Sequence, residues 1–158
     1  MRKSLLMVSL AACCAIVLSS SVVLAADNWL GTWKVDLAKS KYSPGPAPKS
    51  YMLKFEETPD GIKLTSDAVL GDDSALHTTY VSKFDGQDVP WEGNPDADTA
   101  SAKKIDDDSY LNTWKKGGKT TMTAKAVVSA DGKTLTVTVT GTNAKGQAVK
   151  NTAVYNRQ

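Results

Sequence analysis

From Thr134 to Thr140 every second residue is threonine, and Leu135, Val137 and Val139 stand between them. A β-strand sends successive side chains to opposite faces, so this pattern makes one wet face and one apolar face. The same alternation recurs along the chain. Tyr51, Leu53 and Phe55 oppose Met52, Lys54 and Glu56, while Ile62, Leu64, Ser66 and Ala68 oppose Lys63, Thr65 and Asp67. Leu76, Tyr80 and Phe84 oppose His77, Thr79 and Lys83. Alternation with one polar face marks an antiparallel sheet half buried against a core. A slip of one residue would bury the Thr or Lys row, so the register is strongly specified.

Turn residues punctuate these segments at Asp60-Gly61, Gly71-Asp72-Asp73, Asp85-Gly86, Gly93-Asn94-Pro95, Asp106-Asp107-Asp108, Gly117-Gly118, Asp131-Gly132 and Asn143 to Gly146. Gly and Asp supply the positive φ angles of tight hairpins. Ten strands are expected, over 29–37, 50–57, 62–70, 76–84, 87–91, 100–105, 110–116, 120–129, 134–141 and 148–156. So many strands in sequence order cannot lie flat without long exposed edges. Closing the sheet, first strand against last, removes them. The expected fold is therefore all-β, an antiparallel up-and-down meander barrel of about eight to ten strands. A sandwich is the alternative, but its Greek-key crossovers need more chain than these short connections leave. The stretch Lys41 to Lys49, with Pro44, Gly45, Pro46 and Pro48, suits neither helix nor central strand, and must cross a barrel end or lie along its flank.

Residues 1–26 read differently. Arg2 and Lys3 precede an uncharged apolar run from Leu5 to Leu18, and Val23-Leu24-Ala25 follows it. This is the form of a signal peptide, cleaved after Ala25 or Ala26, leaving residues 27–158 as one domain exported to the periplasm or beyond the cell. Two alternatives stand: a lipoprotein acylated at Cys13 in Leu10-Ala11-Ala12-Cys13, and an uncleaved anchor from Ser4 to Ala26. Both cysteines, Cys13 and Cys14, lie in this segment, so a cleaved chain has no disulfide, thiol nucleophile or Cys metal site. Arg2 and Lys3 also carry the whole formal charge of +2. The remaining domain is electrically balanced, with no reason to seek nucleic acid, and without the leader it holds no stable membrane span.

The run Gly31-Thr32-Trp33 resembles the Gly-x-Trp signature of the lipocalins and wider calycin group. The resemblance implies that Trp33 closes one barrel end and packs against an Arg near the end of the last strand. Arg157, the one Arg outside residues 1–26, fits that role, and Gly31, Trp33 and Arg157 are the expected barrel-closure set. The chain is also similar to small exported bacterial lipocalin-like proteins, through Gly31-Thr32-Trp33-Lys34, Ser43-Pro44-Gly45-Pro46 and Gly93-Asn94-Pro95-Asp96-Ala97-Asp98, a likeness spanning nearly all of 28–158.

Chemistry-bearing residues are few. His77, the only His, could serve as a haem ligand or general base, but it shares a face with Thr79, Val81 and Lys83 and reads as a surface residue. Asp96 and Asp98 could bind Ca²⁺ or act as paired carboxylates; in a turn such residues usually cap backbone N–H groups. Asp106-Asp107-Asp108 suits a hairpin tip. No Ser-His-acid triad or Gly-rich phosphate loop is visible. No catalytic residue, metal site or cofactor is assigned, and an enzyme is the least favoured reading.

The aromatics carry more. Tyr51, Phe55, Tyr80, Phe84, Trp91, Trp114 and Tyr155 fall mostly on apolar faces, opposite the small residues Ala124, Ala126 and Ala153. They either fill a core or line a cavity, and barrels of this size can enclose more volume than their side chains occupy. The expected function is binding of a small apolar or amphipathic molecule inside the barrel, by Tyr51, Phe55, Tyr80, Trp91, Trp114 and Met122. The alternative is an envelope structural or interaction module with a solid core.

Overall fold

The computed structural model describes residues 27–158. The leader reading of residues 1–26, with Cys13 and Cys14, lies outside the described residues. The strands are β1 (Gly31–Lys41), β2 (Ser50–Thr58), β3 (Gly61–Val69), β4 (Ala75–Ser82) and β5 (Asp85–Pro90), then β6 (Thr99–Asp106), β7 (Ser109–Lys116), β8 (Lys119–Val128), β9 (Thr134–Thr142) and β10 (Ala148–Arg157). All pair antiparallel in one sheet of order β4-β3-β2-β1-β10-β9-β8-β7-β6-β5. No helix among the described residues is long and apolar enough to cross a membrane.

The first strand pairs with the last, Trp33 opposite Arg157 and Val35 opposite Tyr155. The ring is thus joined where the first and last strands meet, and the up-and-down barrel expected from the alternation is the fold adopted. Its one discontinuity lies between β4 and β5, adjacent in sequence but not laddered together. A single bridge, Thr79 to Glu92, spans this seam. The departure from a simple hairpin originates at Phe84. The alternation carries β4 on to residue 84, yet Phe84 has φ 55° and leaves the strand. A non-glycine residue there needs external support. Phe84 N–H donates to Ser82 Oγ (3.1 Å), and its carbonyl accepts from Lys104 N–H (2.9 Å). The chain therefore swings from β4 toward β6 before β5 begins.

The wet and dry faces fall as the alternation requires. Leu53, Phe55, Leu64, Ala68, Tyr80, Met122, Ala126, Leu135 and Tyr155 are buried, while Lys54, Glu56, Lys125 and Thr138 are exposed. Gly117 and Gly118, with φ of 55° and 74°, make the tight turn between β7 and β8 and set Lys116 opposite Lys119.

One end of the barrel is shut. Residues 27–30 fold across it and place Trp29, fully buried, against Phe84 (5.8 Å between ring centroids) and Tyr110 (5.5 Å). Phe55 and Phe84 also meet Tyr110 edge-on, at 5.9 and 5.1 Å. Each such aromatic pair contributes roughly 0.5–1.5 kcal/mol beyond its buried area. Trp33 Nε1–H donates to the Trp29 carbonyl (2.8 Å), tying this plug to β1.

At the other end lie the β1–β2, β3–β4, β5–β6, β7–β8 and β9–β10 connections. Lys150 N–H donates to the Ser43 carbonyl of the Pro-rich loop (2.8 Å), and Ala144 N–H donates to Asp96 Oδ1 (2.7 Å). The Pro-rich loop thus lies over a barrel end, one of the two positions its composition allows. We call this end the mouth.

Candidate functional site

Below the mouth the interior is aromatic, polar and uncharged. Alternation along β7 sends Tyr110, Asn112 and Trp114 inward, and β4 sends Thr78, Tyr80 and Ser82 toward them. Trp91 follows β5 and enters the same space, because the Thr79–Glu92 bridge pins the next residue to β4 (3.1 and 3.0 Å). Trp91 meets Tyr80 edge-on at 5.2 Å and Trp114 at 4.9 Å. Asn112 Nδ2 donates to the Tyr80 hydroxyl (3.1 Å). Ala100 and Ala102 on β6, fully buried, lie opposite Trp114 and Asn112 and leave the large rings their room.

Several polar atoms in this interior are buried without a hydrogen-bond partner among the described residues. They are Tyr42 Oη, Thr78 Oγ1, Asn112 Oδ1, and the Nε1 atoms of Trp91 and Trp114, with Trp29 Nε1 at the shut end. A buried polar group left unpaired costs about 1–3 kcal/mol, so a cluster of them marks a place where stability is given up. The buried polar side chains among the described residues are Ser66, Thr78, Ser82, Ser109 and Asn112, and none is charged. Burial pushes the hydroxyls of Tyr51, Tyr80, Tyr110 and Tyr155 above the ordinary 10.0, so all stay protonated at neutral pH.

The residues expected to bind a ligand separate into groups. Tyr80, Trp91 and Trp114 touch, and Met122, buried, sits opposite Trp114 across the β7–β8 pairing. Tyr51 lies apart, half-buried, with its ring 6.1 Å from Tyr155. Phe55 belongs to the packed layer at the shut end. The closure set comes together: the Arg157 guanidinium lies 4.2 Å above the Trp33 ring, and its Nη1 is 3.0 Å from where a Cβ on Gly31 would stand. Missing from the expected site are Trp29, Tyr42, Thr78 and Asn112. A polar residue inside an otherwise apolar row, Thr78 between Leu76 and Tyr80 or Asn112 between Tyr110 and Trp114, is the signal that could have found two of them.

The other candidates lie elsewhere. His77 stands on the outer face, its Nδ1 2.6 Å from Asp67 Oδ1, both side chains exposed. Asp96 and Asp98 accept from the backbone N–H groups of Ala144 and Gly117 (2.7 and 2.8 Å). Asp106 shapes the β6–β7 turn by accepting from Asp108 N–H and the Ser109 hydroxyl (3.0 and 2.8 Å). Among the described residues no group of three or more His, Cys, Asp or Glu is placed to hold a metal ion. Two open grooves are both lined in part by Lys34 and Ser50: one of about 390 Å³ lies over β1, the start of β2 and the end of β10, and one of about 350 Å³ runs from β1 across β2 and β3 to β4, past Met52, Asp67 and His77.

Fold and interior together define a class: a ten-stranded up-and-down β-barrel, shut at one end, with an uncharged aromatic interior. Comparison with known proteins adds little to that class. No family model matches the chain, and no curated protein does. Among solved structures, zebrafish ileal bile acid-binding protein complexed with cholic acid is similar, with a TM-score of 0.46 and 10% identity over 83% of this chain and 99% of that one.

Proposed function

We propose that the chain is an exported binding module that holds a small hydrophobic or amphipathic molecule inside the barrel, toward the mouth. The observation that carries this reading is the Tyr80–Trp91–Trp114 set, whose two indole N–H groups are buried and, among the described residues, unpartnered in an interior without charge. Apolar area leaving water would supply affinity, at roughly 25 cal/mol per Å², and the polar atoms would fix orientation. Export is supported by the leader features of residues 1–26 and places the module in the periplasm or outside the cell. The mature chain then begins at Ala26 or Asp27.

Native mass spectrometry on protein purified from its own host tests both halves, since a retained ligand appears as an added mass and cleavage as a lost one. Titration with Nile red, an uncharged fluorescent probe, tests the site. Trp114→Ala is expected to weaken probe binding by about fivefold or more, close to 1 kcal/mol. Unchanged binding moves the site elsewhere.

A second reading has its own support. The rings at the shut end pack against one another, and the two grooves are open on the barrel surface beside β1 and β2. A solid barrel acting as an envelope structural or interaction module would show no adduct and no Trp114-dependent probe binding.

A further inference from the structure

Among the interior's unpaired polar atoms, Trp91 Nε1 and Trp114 Nε1 can only donate, Asn112 Oδ1 can only accept, and Thr78 Oγ1 and Tyr42 Oη can do either; the two fixed donors constrain a ligand most. An indole N–H donates and cannot accept. Trp91 Nε1 and Trp114 Nε1 are two such donors, on rings that meet edge-on with centroids 4.9 Å apart, and both are without a partner among the described residues. The Tyr80 ring meets Trp91 edge-on, and its hydroxyl already accepts from Asn112 Nδ2 (3.1 Å), which leaves its own hydrogen to give. Trp91 is 8% exposed and Asn112 3%, so these groups are withdrawn from solvent. The lysines nearest the mouth end of β7 are engaged elsewhere, Lys115 Nζ with Asp88 (2.7 Å) and Lys116 Nζ with the Pro95 carbonyl.

We infer that the Tyr80–Trp91–Trp114 set selects an uncharged ligand bearing acceptor oxygens, a ketone, quinone or ester on an apolar frame, over both a bare hydrocarbon and a carboxylate. The inference rests on the proposed binding function and specifies its chemistry. A hydrocarbon leaves the indole donors unpaired. A carboxylate pairs them but brings a full negative charge into an interior with no buried cation, and an uncompensated buried charge costs far more than a neutral acceptor does. A neutral carbonyl satisfies donors at no such cost.

Three probes sharing one ring system separate the cases: acetonaphthone with a carbonyl, methylnaphthalene with none, and naphthoate with a charge. Each is titrated into residues 27–158 by calorimetry and by heteronuclear NMR of the indole N–H signals. Acetonaphthone is expected to bind about tenfold or more tightly than either competitor. It should also move two indole signals downfield, the two that vanish in Trp91→Phe and Trp114→Phe. Each of these variants should reduce the carbonyl preference while leaving methylnaphthalene affinity within about twofold, a split that mere loss of packing would not give. Equal affinity for all three probes, or preference for naphthoate, overturns the inference and leaves the binding function standing. Failure of all three together with Nile red overturns both.

Discussion

Arg157 stacks on Trp33 across the pairing of the last strand with the first, its guanidinium 4.2 Å from the ring. The same side chain donates from Nε to the Gly132 carbonyl (2.7 Å), from Nη1 to the Leu30 carbonyl (2.7 Å) and from Nη2 to the Asn28 carbonyl. One residue therefore joins β10, the β8–β9 turn and the segment that carries Trp29 over the shut end. Replacing it removes a cation–π contact and several charge-assisted bonds at once. Arg157→Ala is expected to destabilise by about 2–3 kcal/mol. Arg157→Lys should recover less than half of that, because an ammonium lacks the planar fork. Urea midpoints at constant slope measure both, and a loss below 0.5 kcal/mol, taken as about the noise of a surface substitution, would refute the closure role.

The register makes a sharper claim on β9 and β7. Leu135 is fully buried and Leu111 is 37% exposed, although both are strand leucines. Leu135→Ala should cost about 2–5 kcal/mol and Leu111→Ala less than about 0.5 kcal/mol. Comparable losses would mean that β7 or β9 is shifted by one residue.

At the seam, Gly93 has φ 77°, and a Cβ there would run into the His77 carbonyl oxygen. Gly93→Ala must therefore push the β5–β6 loop away from β4, at a cost of about 1–3 kcal/mol. Hydrogen exchange gives the specific readout. The Thr79 and Glu92 amides, which form the bridge, should exchange faster, while those of the β9–β10 ladder should slow or quicken only with global stability.

Acid and alkali should act through different groups. Hydrogen bonds from Lys39, Ser74, Ser109 and Ser129 hold Asp36, Asp72, Asp106 and Asp131 below the ordinary 3.8. Below that value the unfolded chain takes up protons before the native one, so their contribution is complete above 3.8 and disappears as pH falls through the folded values. The urea midpoint should drop as pH falls below about 4, with a shallower drop in Asp106→Asn. For Tyr51, Tyr80, Tyr110 and Tyr155 the sign reverses. Their raised values make the native state the better proton holder above 10.0, so stability falls as pH climbs past it. Absorbance of ionised tyrosine should then rise with unfolding, not ahead of it.

Much of this molecule can be read along the chain. The Thr134–Thr140 alternation sets which side of β9 is wet, and the Gly117-Gly118 pair sets where β7 turns into β8, because side-chain period and turn stereochemistry depend only on neighbours. The need to bury an edge even dictates that the first strand meets the last. Three things depend instead on how the closed sheet curves: the plug made by Trp29, the seam between β4 and β5, and the meeting of Tyr80, Trp91 and Trp114. Residues on β4, after β5 and on β7 come together only because the chain leaves β4 at Phe84 and is pinned back to it at Glu92. Alternation states which way each side chain points but carries no information about what stands across the barrel, and that distance is decided by closure alone.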